Sequence, residues 1–178
     1  MKFFRSEMGP IFQFRGNIPV ILFIMGYLWF LSGCSDDNFV YLRGQPAADF
    51  SIERFDGGSF RLSDHKGKPI LINFFASWCV PCGTEIPVLA KVSSEYREKG
   101  VIFVGVAIND TESKAREFIG KYNLSFATGL DKNGEIRRDY QLYGMPTTLF
   151  VDKNGIIRNL HLGGVTEDLL RDELDKLL

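Results

Sequence analysis

The stretch of sequence that decides the fold is residues 70–82, which read ILINFFASWCVPC. Its first part, Ile70 to Phe75, is almost wholly apolar, a pattern typical of a strand that is covered on both faces of a sheet. Beyond the stretch, apolar residues between Ile86 and Tyr96 recur at helical spacing. Cys79 and Cys82 are therefore expected where a buried strand passes into a helix.

A second apolar run, Val101 to Ile108, follows this helix and predicts another buried strand. Because a strand–helix–strand connection is almost always right-handed, both strands are expected in one sheet with the helix on its face. The sequence therefore predicts a domain of the α/β class. The further predicted elements are a hairpin of residues 49–53 and 59–62, a helix at 112–122, strands at 147–151 and 156–162, and a closing helix at 166–178.

The composition predicts one globular domain and excludes one class of function. The chain has 178 residues, of which 45% are hydrophobic, and this is enough for a single core. The formal net charge is −1, and the sequence offers no basic patch of the kind that neutralises phosphates. Nucleic-acid binding is therefore set aside.

The first 33 residues have the order of an export signal. Three basic residues, Lys2, Arg5 and Arg15, precede an apolar run from residue 18 to residue 31. As a helix this run rises only about 21 Å, less than the roughly 30 Å of a bilayer's hydrocarbon core, so a cleaved signal is favoured over a permanent span. An uncleaved anchor in a thin or distorted bilayer stays open as the alternative.

Residues 31–34, LSGC, resemble the lipobox of bacterial lipoproteins, in which cleavage before the cysteine leaves it to carry acyl chains. This predicts a lipoprotein-type signal peptide over residues 1–33 and a lipid on Cys34. The alternative is an ordinary cleavage site followed by a chance cysteine. Residues 34–45 lack periodicity and are predicted to be a flexible tether, so the globular domain is expected to span residues 46–178.

With Cys34 assigned to the lipid, Cys79 and Cys82 remain as a CxxC pair. A cysteine at a helix N-terminus has its thiolate, the attacking species, stabilised by free backbone N–H groups and by the helix dipole. The competing interpretation is a purely structural disulfide. Closing so short a loop contributes on the order of 2 kcal/mol, against about 3 kcal/mol for a loop of about 15 residues, so a bridge for strength is disfavoured here.

The sequence predicts no metal site and no cofactor. Two cysteines with only His65 and His161 elsewhere lack the ligand spacing of a zinc site. The sequence DKNG occurs at residues 131–134 and again at 152–155, but neither copy has the further oxygen ligands and final glutamate of an EF-hand. Both copies are interpreted as turns.

Two motifs carry a resemblance to a known family: WCVPC at residues 78–82 and GMPTT at residues 144–148. Together they resemble the thioredoxin superfamily, and most of all its membrane-tethered extracytoplasmic reductases of the TlpA and ResA type. The resemblance covers about residues 46–178. It implies a thioredoxin-like fold, with a central mixed sheet flanked by helices, an N-terminal β-hairpin and an inserted helix and strand.

The resemblance also implies roles for individual residues. Cys79 would attack a substrate disulfide, and Cys82 would resolve the mixed disulfide that forms. Trp78 would be an apolar wall over the disulfide, with core packing as its alternative role. Pro146 would be a cis proline that faces the disulfide, and the backbone of Met145 would pair with an extended substrate segment.

Three further positions follow from the same comparison. Gly163 matches the glycine that keeps the substrate surface open, although Gly164 is an alternative. Asn73 stands where cytoplasmic thioredoxin has a buried aspartate. Glu85 matches an acidic residue of the tethered reductases, and the hypothesis is that it shuttles protons to the thiols with its pKa raised by partial burial. Its alternative is an ordinary acid that favours the first helical turn.

The function implied by the resemblance is disulfide reduction on the extracytoplasmic, periplasmic side of the cell envelope. The expected substrates are disulfides of exported proteins, such as apocytochrome c. The expected partners are an integral membrane electron donor and the membrane itself, through the lipid anchor. Two alternatives stay open: a thiol peroxidase of the redoxin group, and a non-catalytic tethered binding or chaperone domain.

Overall fold

The computed structural model describes residues 42–122, 124 and 126–178. The predicted signal peptide, Cys34 and residues 34–41 of the predicted tether lie outside these ranges. Inside them, every helix is too short or too polar to cross a membrane.

The described residues form seven strands and four α-helices, numbered in chain order. The strands are β1 (Ser51–Glu53), β2 (Ser59–Arg61), β3 (Ile70–Phe75), β4 (Ile102–Ala107), β5 (Ala127–Leu130), β6 (Thr147–Val151) and β7 (Ile157–Leu162). The helices are α1 (Val80–Glu98), α2 (Glu112–Gly120), α3 (Glu135–Asp139) and α4 (Glu167–Asp175), with a 3₁₀ turn at Leu62–His65.

The main sheet has five strands in the order β5–β4–β3–β6–β7. The central strand β3 runs parallel to β4 and antiparallel to β6, so the sheet is mixed. The strands β1 and β2 form a separate antiparallel hairpin at the N-terminal side of the domain. The predicted fold class, with its mixed sheet and N-terminal hairpin, is therefore confirmed.

Two core clusters lie on opposite faces of the sheet. Ile70, Ile72 and Phe74 of β3 belong to one cluster, which also contains residues of the hairpin and of α3. Leu71 belongs to the other cluster, with residues of α1 and α4. Successive strand residues point to opposite faces, so a strand with a cluster on each side is apolar nearly throughout.

The domain begins before the predicted boundary at residue 46. The N–H of Gly44 donates to the carbonyl of Ile157 at 2.8 Å, and the N–H of Ile157 donates to the carbonyl of Gln45 at 2.9 Å. Leu42 packs against the core. Residues 42–45 show no periodicity because backbone hydrogen bonds to β7, rather than a patterned apolar face, hold them on the domain. Residues 42–45 therefore belong to the domain and not to the predicted tether.

The strand β5 and the helix α2 before it form the inserted element that the family resemblance implies. β5 extends the sheet beyond β4, and the N–H of Phe55 next to the hairpin donates to the carbonyl of Thr128 in β5 at 2.8 Å. Gly129 lies where the two backbones approach. A Cβ atom on Gly129 would overlap the carbonyl oxygen of Glu53 and come within 3.1 Å of the Ile52 side chain. Glycine is therefore required at this contact.

We predict that Gly129→Ala lowers the free energy of unfolding by about 1–3 kcal/mol, because the added methyl group must push the hairpin away from β5. Denaturant unfolding of the oxidised protein measures the change. Gly120→Ala is the matched control, since open space surrounds a Cβ at this last residue of α2. It should leave stability equal or raise it by up to about 1 kcal/mol. Equal unfolding midpoints for the two variants would contradict the close approach.

Candidate active site

Cys79 and Cys82 form a disulfide at the amino terminus of α1. Cys79 is the N-cap residue, and its Sγ atom accepts a hydrogen bond from the backbone N–H of Cys82 at 3.2 Å. The helix begins at the next residue, Val80, and Pro81 stands in its first turn, where a proline removes no intrahelical bond. The sequence places the cysteines at this junction because the buried strand β3 ends at Phe75.

The two cysteines differ in exposure. Cys79 keeps 5% of its surface exposed, whereas Cys82 has none. A disulfide that approaches from solvent therefore meets Cys79. The unpaired N–H groups of the first helical turn and the helix dipole favour a negative charge at this same position.

The segment that leads into β6 lies beside the disulfide. The peptide bond between Met145 and Pro146 is cis. The side chain of Met145 packs against the apolar cluster that contains both cysteines. The N–H of Gly163 donates to the carbonyl of Pro146 at 2.9 Å, which joins the end of β7 to this segment. The structure thus joins the predicted site residues Met145, Pro146 and Gly163 to one another, and it packs Met145 against the cluster that contains the disulfide.

Two glycines follow β7, and the first of them, Gly163, borders this segment. Gly163 has a φ of +89°, a conformation that glycine adopts at little cost, and no atom lies within 4 Å of a Cβ placed there. A Cβ on Gly164 would lie 4.0 Å from the carbonyl oxygen of Pro81. The surface beside Pro146 is therefore open at Gly163.

Trp78 is a surface residue. Its side chain is 60% exposed, so the alternative of core packing is wrong. Its indole Nε1–H donates to the carbonyl of Asn109 at 3.0 Å, which fixes one edge of the ring. The apolar face of the ring is thus available next to Cys79.

The loop after β4 holds the residues before Cys79, and sequence reasoning missed it. The Asp110 carboxylate accepts hydrogen bonds from the N–H and the hydroxyl of Ser77, at 2.6 and 2.9 Å. Asn109 holds Trp78 in the same way through its carbonyl. A signal was present in the sequence, since β3 and β4 are predicted as neighbours and the residues that follow parallel strands meet at one edge of the sheet.

Glu85 lies in the second turn of α1 and is buried, with 2% of its surface exposed. Its Oε1 accepts a hydrogen bond from Asn73 Nδ2 at 2.9 Å, and its Oε2 accepts one from the N–H of Val165 at 3.0 Å. Asn73 Nδ2 also donates to the hydroxyl of Thr148 at 3.0 Å. The alternative of an ordinary acid of the first helical turn is therefore wrong, since Glu85 lies in the second turn and is buried, and Asn73 is a partner of its carboxyl group.

Burial raises the pKa of Glu85 from 4.5 to about 7, and the hydrogen bonds from Asn73 and Val165 offset only part of the rise. The carboxyl group therefore exchanges its proton near neutral pH. Because its pKa is higher in the folded than in the unfolded protein, its effect on stability has a definite sign. The contribution of Glu85 to the free energy of unfolding is greatest below about pH 4.5, falls as the pH rises, and is lost above about pH 7.

We predict that Glu85→Gln removes this fall, which is on the order of 3 kcal/mol in the wild-type protein. The amide has the shape of the carboxyl group without its charge, and the Asn73 amide can turn over so that its oxygen accepts from Gln. Urea unfolding of the oxidised protein from about pH 4 to about pH 8.5 measures the profile.

The matched control is Glu98→Gln, which changes an exposed carboxylate at the end of the same helix and should keep the wild-type profile. A Glu85→Gln profile that runs parallel to the wild-type profile would show that burial does not raise this pKa.

Comparison with solved structures shows the class of protein to which the fold and the Cys79–Cys82 disulfide correspond. A thiol:disulfide interchange protein of the thioredoxin family from Chlorobium tepidum matches with a TM-score of 0.70 and 26% identity, over 76% of this chain and 97% of that chain. The exposed lipoprotein thioredoxin of Streptococcus pneumoniae matches with a TM-score of 0.66 and 26% identity, over 73% of this chain and 100% of that chain. The fold and the CxxC disulfide define a thioredoxin-like thiol–disulfide oxidoreductase.

Sequence relatives identify the family. The thiol-disulfide oxidoreductase ResA of Oceanobacillus iheyensis is 38% identical over 170 residues, which are 93% of this chain and 88% of that protein. Residues 43–160 match the AhpC/TSA family. The chain belongs to the AhpC/TSA family, and the resemblance to ResA-type proteins read from the two motifs is confirmed.

Proposed function

We propose that the protein is a lipoprotein of the cell envelope that reduces disulfide bonds of exported proteins on the extracytoplasmic side. The observation that carries this proposal is the unequal exposure of two cysteines at one helix N-terminus. Cys79 can meet a substrate and Cys82 cannot. This inequality supports attack by the first thiol and resolution by the second.

In the proposed reaction the reduced protein supplies two electrons. The Cys79 thiolate attacks one sulfur of the substrate disulfide, the substrate S–S bond breaks, and the departing sulfur takes up a proton. The Cys82 thiolate then attacks the Cys79 sulfur of the mixed disulfide, which releases the second substrate thiol and leaves the Cys79–Cys82 disulfide. The helix N-terminus favours the first step because it stabilises the attacking thiolate.

Glu85 is the proposed proton carrier for the buried thiol. It follows Cys82 by three residues on α1, a spacing that puts two side chains on one face of a helix. Cys82 is fully buried, so a proton that it gains or loses needs a route other than direct contact with water. A carboxyl group whose pKa is about 7 both accepts and donates a proton at neutral pH.

The proposed substrate surface surrounds the disulfide. The large apolar side chains of Trp78 and Val80, which flank Cys79, are 60% and 81% exposed, and Tyr143 and Leu162 are exposed on the two segments next to the cis proline. This surface suits an extended segment with apolar side chains on both sides of its cysteine. Such a segment can add as a strand along the backbone at Met145, and the open surface at Gly163 leaves room for it.

Apocytochrome c is the substrate proposed for this surface. Its haem-attachment cysteines lie in a CxxCH segment that must be reduced before haem is bound. The name of the Oceanobacillus iheyensis relative supports thiol–disulfide chemistry of this kind. Because the compartment outside the membrane is oxidising, the proposal includes an integral membrane protein that returns electrons to Cys79 and Cys82.

The proposed anchor is the lipid on Cys34, with residues 1–33 removed as a signal peptide and the residues up to 41 as the tether. The LSGC sequence supports this, as does the structural match to a Streptococcus pneumoniae protein described as an exposed lipoprotein. Two or more acyl chains hold a protein on a membrane stably, whereas one does not.

We predict that Cys82→Ala accumulates mixed disulfides between Cys79 and exported proteins, because the resolving step is lost while attack remains. Mass spectrometry of the trapped species after acid quenching identifies the partners. Cys79→Ala is the matched control and should trap few or none, since Cys82 is buried. Trapping through Cys82 alone would reverse the assigned roles. Consumption of hydrogen peroxide that Cys82→Ala leaves intact would favour a thiol peroxidase instead.

We predict that cells that express the protein incorporate labelled fatty acid into it, and that Cys34→Ser abolishes the label. The Cys34 thiol is the proposed acceptor of the acyl chains, and the serine hydroxyl does not replace it. Ser35→Ala is the control and should keep the label, since it leaves the acceptor cysteine unchanged. An unlabelled wild-type protein with an intact N-terminus would favour an uncleaved anchor.

A further inference from the structure

The turn before Cys79 is held from outside by two residues of another loop. Trp78 donates its indole N–H to the carbonyl of Asn109 at 3.0 Å. Ser77 donates both its backbone N–H and its hydroxyl to the Asp110 carboxylate, at 2.6 and 2.9 Å. We call these two residues the Asn109–Asp110 clamp. The clamp accepts hydrogen bonds from Ser77 and Trp78, the two residues immediately before the attacking cysteine.

The clamp is rigidly placed. The N–H of Ile108, the residue before it, donates to the carbonyl of Phe75 at the end of β3 at 2.9 Å. Thr111, the residue after it, caps the helix α2 with its hydroxyl. Asn109 has a φ of +49°, in the left-handed region that asparagine tolerates better than most residues. The sheet on one side and a helix on the other thus fix the clamp.

Both oxygens of the Asp110 carboxylate accept hydrogen bonds from the residues around it. Oδ2 accepts from the backbone N–H of Ser77, and Oδ1 accepts from the Ser77 hydroxyl and from the backbone N–H of Thr111 at 2.8 Å. Each oxygen therefore faces a backbone N–H, which can only donate. An asparagine would turn its NH₂ group toward one of these donors. An alanine would leave all three donors without this partner.

We propose that Asp110 is a positioning residue that keeps the Cys79 sulfur at the N-terminus of α1 when the disulfide is reduced. This inference rests on the proposed function. In the oxidised protein the disulfide bond to Cys82 restrains the position of Cys79. Reduction removes this restraint, and the residues before Cys79 must then keep its sulfur where the helix stabilises the thiolate.

The negative charge of Asp110 and its positioning role have opposite effects on the reactivity of Cys79. A carboxylate near a thiolate disfavours ionisation, so removal of the charge alone would make Cys79 more reactive. Loss of positioning makes Cys79 less reactive, because a small displacement of an attacking atom slows a reaction strongly. The sign of the change in rate therefore distinguishes a positioning role from a purely electrostatic one.

The test uses the lipidated Cys82→Ala protein as parent, with Cys79 as its reactive thiol. Its attack on dipyridyl disulfide forms a mixed disulfide and releases thiopyridone, whose absorbance gives the rate. This reagent is too small to need the proposed substrate surface. In this background Asp110→Ala and Asp110→Asn should slow the reaction roughly tenfold. Ser77→Ala, which removes only the hydroxyl, should slow it less.

The matched control is Asp152→Ala. The Asp152 carboxylate also binds three donors, the N–H groups of Asn154 and Ile156 and the side chain of Arg158. It lies beyond the end of β6 that pairs with Ile70, at the far end of β3 from Cys79. Its loss should cost comparable stability and leave the rate of Cys79 unchanged.

The fluorescence anisotropy of Trp78 is a second measurement, and a loss of stability without release of the clamp should leave it unchanged. The sequence has two tryptophans, and the proposed cleavage before Cys34 removes Trp29, so the fluorescence of the lipidated protein comes from Trp78. A Trp78→Phe protein checks that no other signal contributes. Release of the clamp should lower the fluorescence anisotropy of Trp78 in Asp110→Ala and not in Asp152→Ala.

An unchanged or faster reaction of both Asp110 variants would overturn the positioning role. If Asp110→Ala fails to fold, Asp110→Asn, which keeps the size of the side chain, decides the question. The proposed function fails separately, when the parent protein itself traps no exported protein.

Discussion

The complete burial of β3 is the constraint on which the rest of the molecule depends. All six of its residues are buried between two core clusters and between two neighbouring strands. A strand in that position cannot shift its register without moving apolar side chains on both faces at once. Its end at Phe75 is therefore a fixed point, and the turn that carries Cys79 starts from it. The packing of the core around β3 therefore determines where the Cys79 sulfur lies.

The core also contains the carboxyl group of Glu85, whose burial disfavours its ionised form. Glu85 is buried beneath the site, and Asn73 and Val165 both donate to it. No described side-chain polar atom that is buried lacks a hydrogen-bond partner, so the group is satisfied even though its ionised form is disfavoured. The arrangement links three elements that meet at the disulfide: β3 through Asn73, α1 through Glu85 and the loop after β7 through Val165. The hydrogen bond from Val165 thus joins Glu85 to the loop that borders the proposed substrate surface.

The parts of the fold that the sequence predicts are those with strong local patterns. β3 and β6 have the predicted bounds, because their residues are mostly apolar or β-branched and all of them are buried. β5 was not singled out, because its four residues include one large apolar side chain and it is defined by its neighbours. The segment 42–45 is likewise held by backbone hydrogen bonds, which leave no trace in side-chain type.

In the candidate site, too, the sequence predicts the residues that belong to a local pattern and not those that act through distant partners. The CxxC pair is visible because its spacing carries the chemistry. The burial of Glu85 was left open, since a glutamate near the start of a helix reads the same whether it faces water or the core. Asp110 was missed because its partner is a serine 33 residues earlier, and no local pattern joins the two.

The N-terminal segment enters the domain at the end of β3 that lies opposite the disulfide. Residues 44–47 bind residues 155–157, near the end of β6 that pairs with Ile70, so the chain joins the domain at the opposite end of β3 from Cys79. Six strand residues separate these ends by about 20 Å. The segment that enters the domain and the sulfur that a substrate must reach therefore lie at opposite ends of β3, so residues 44–47 leave the approach to Cys79 open.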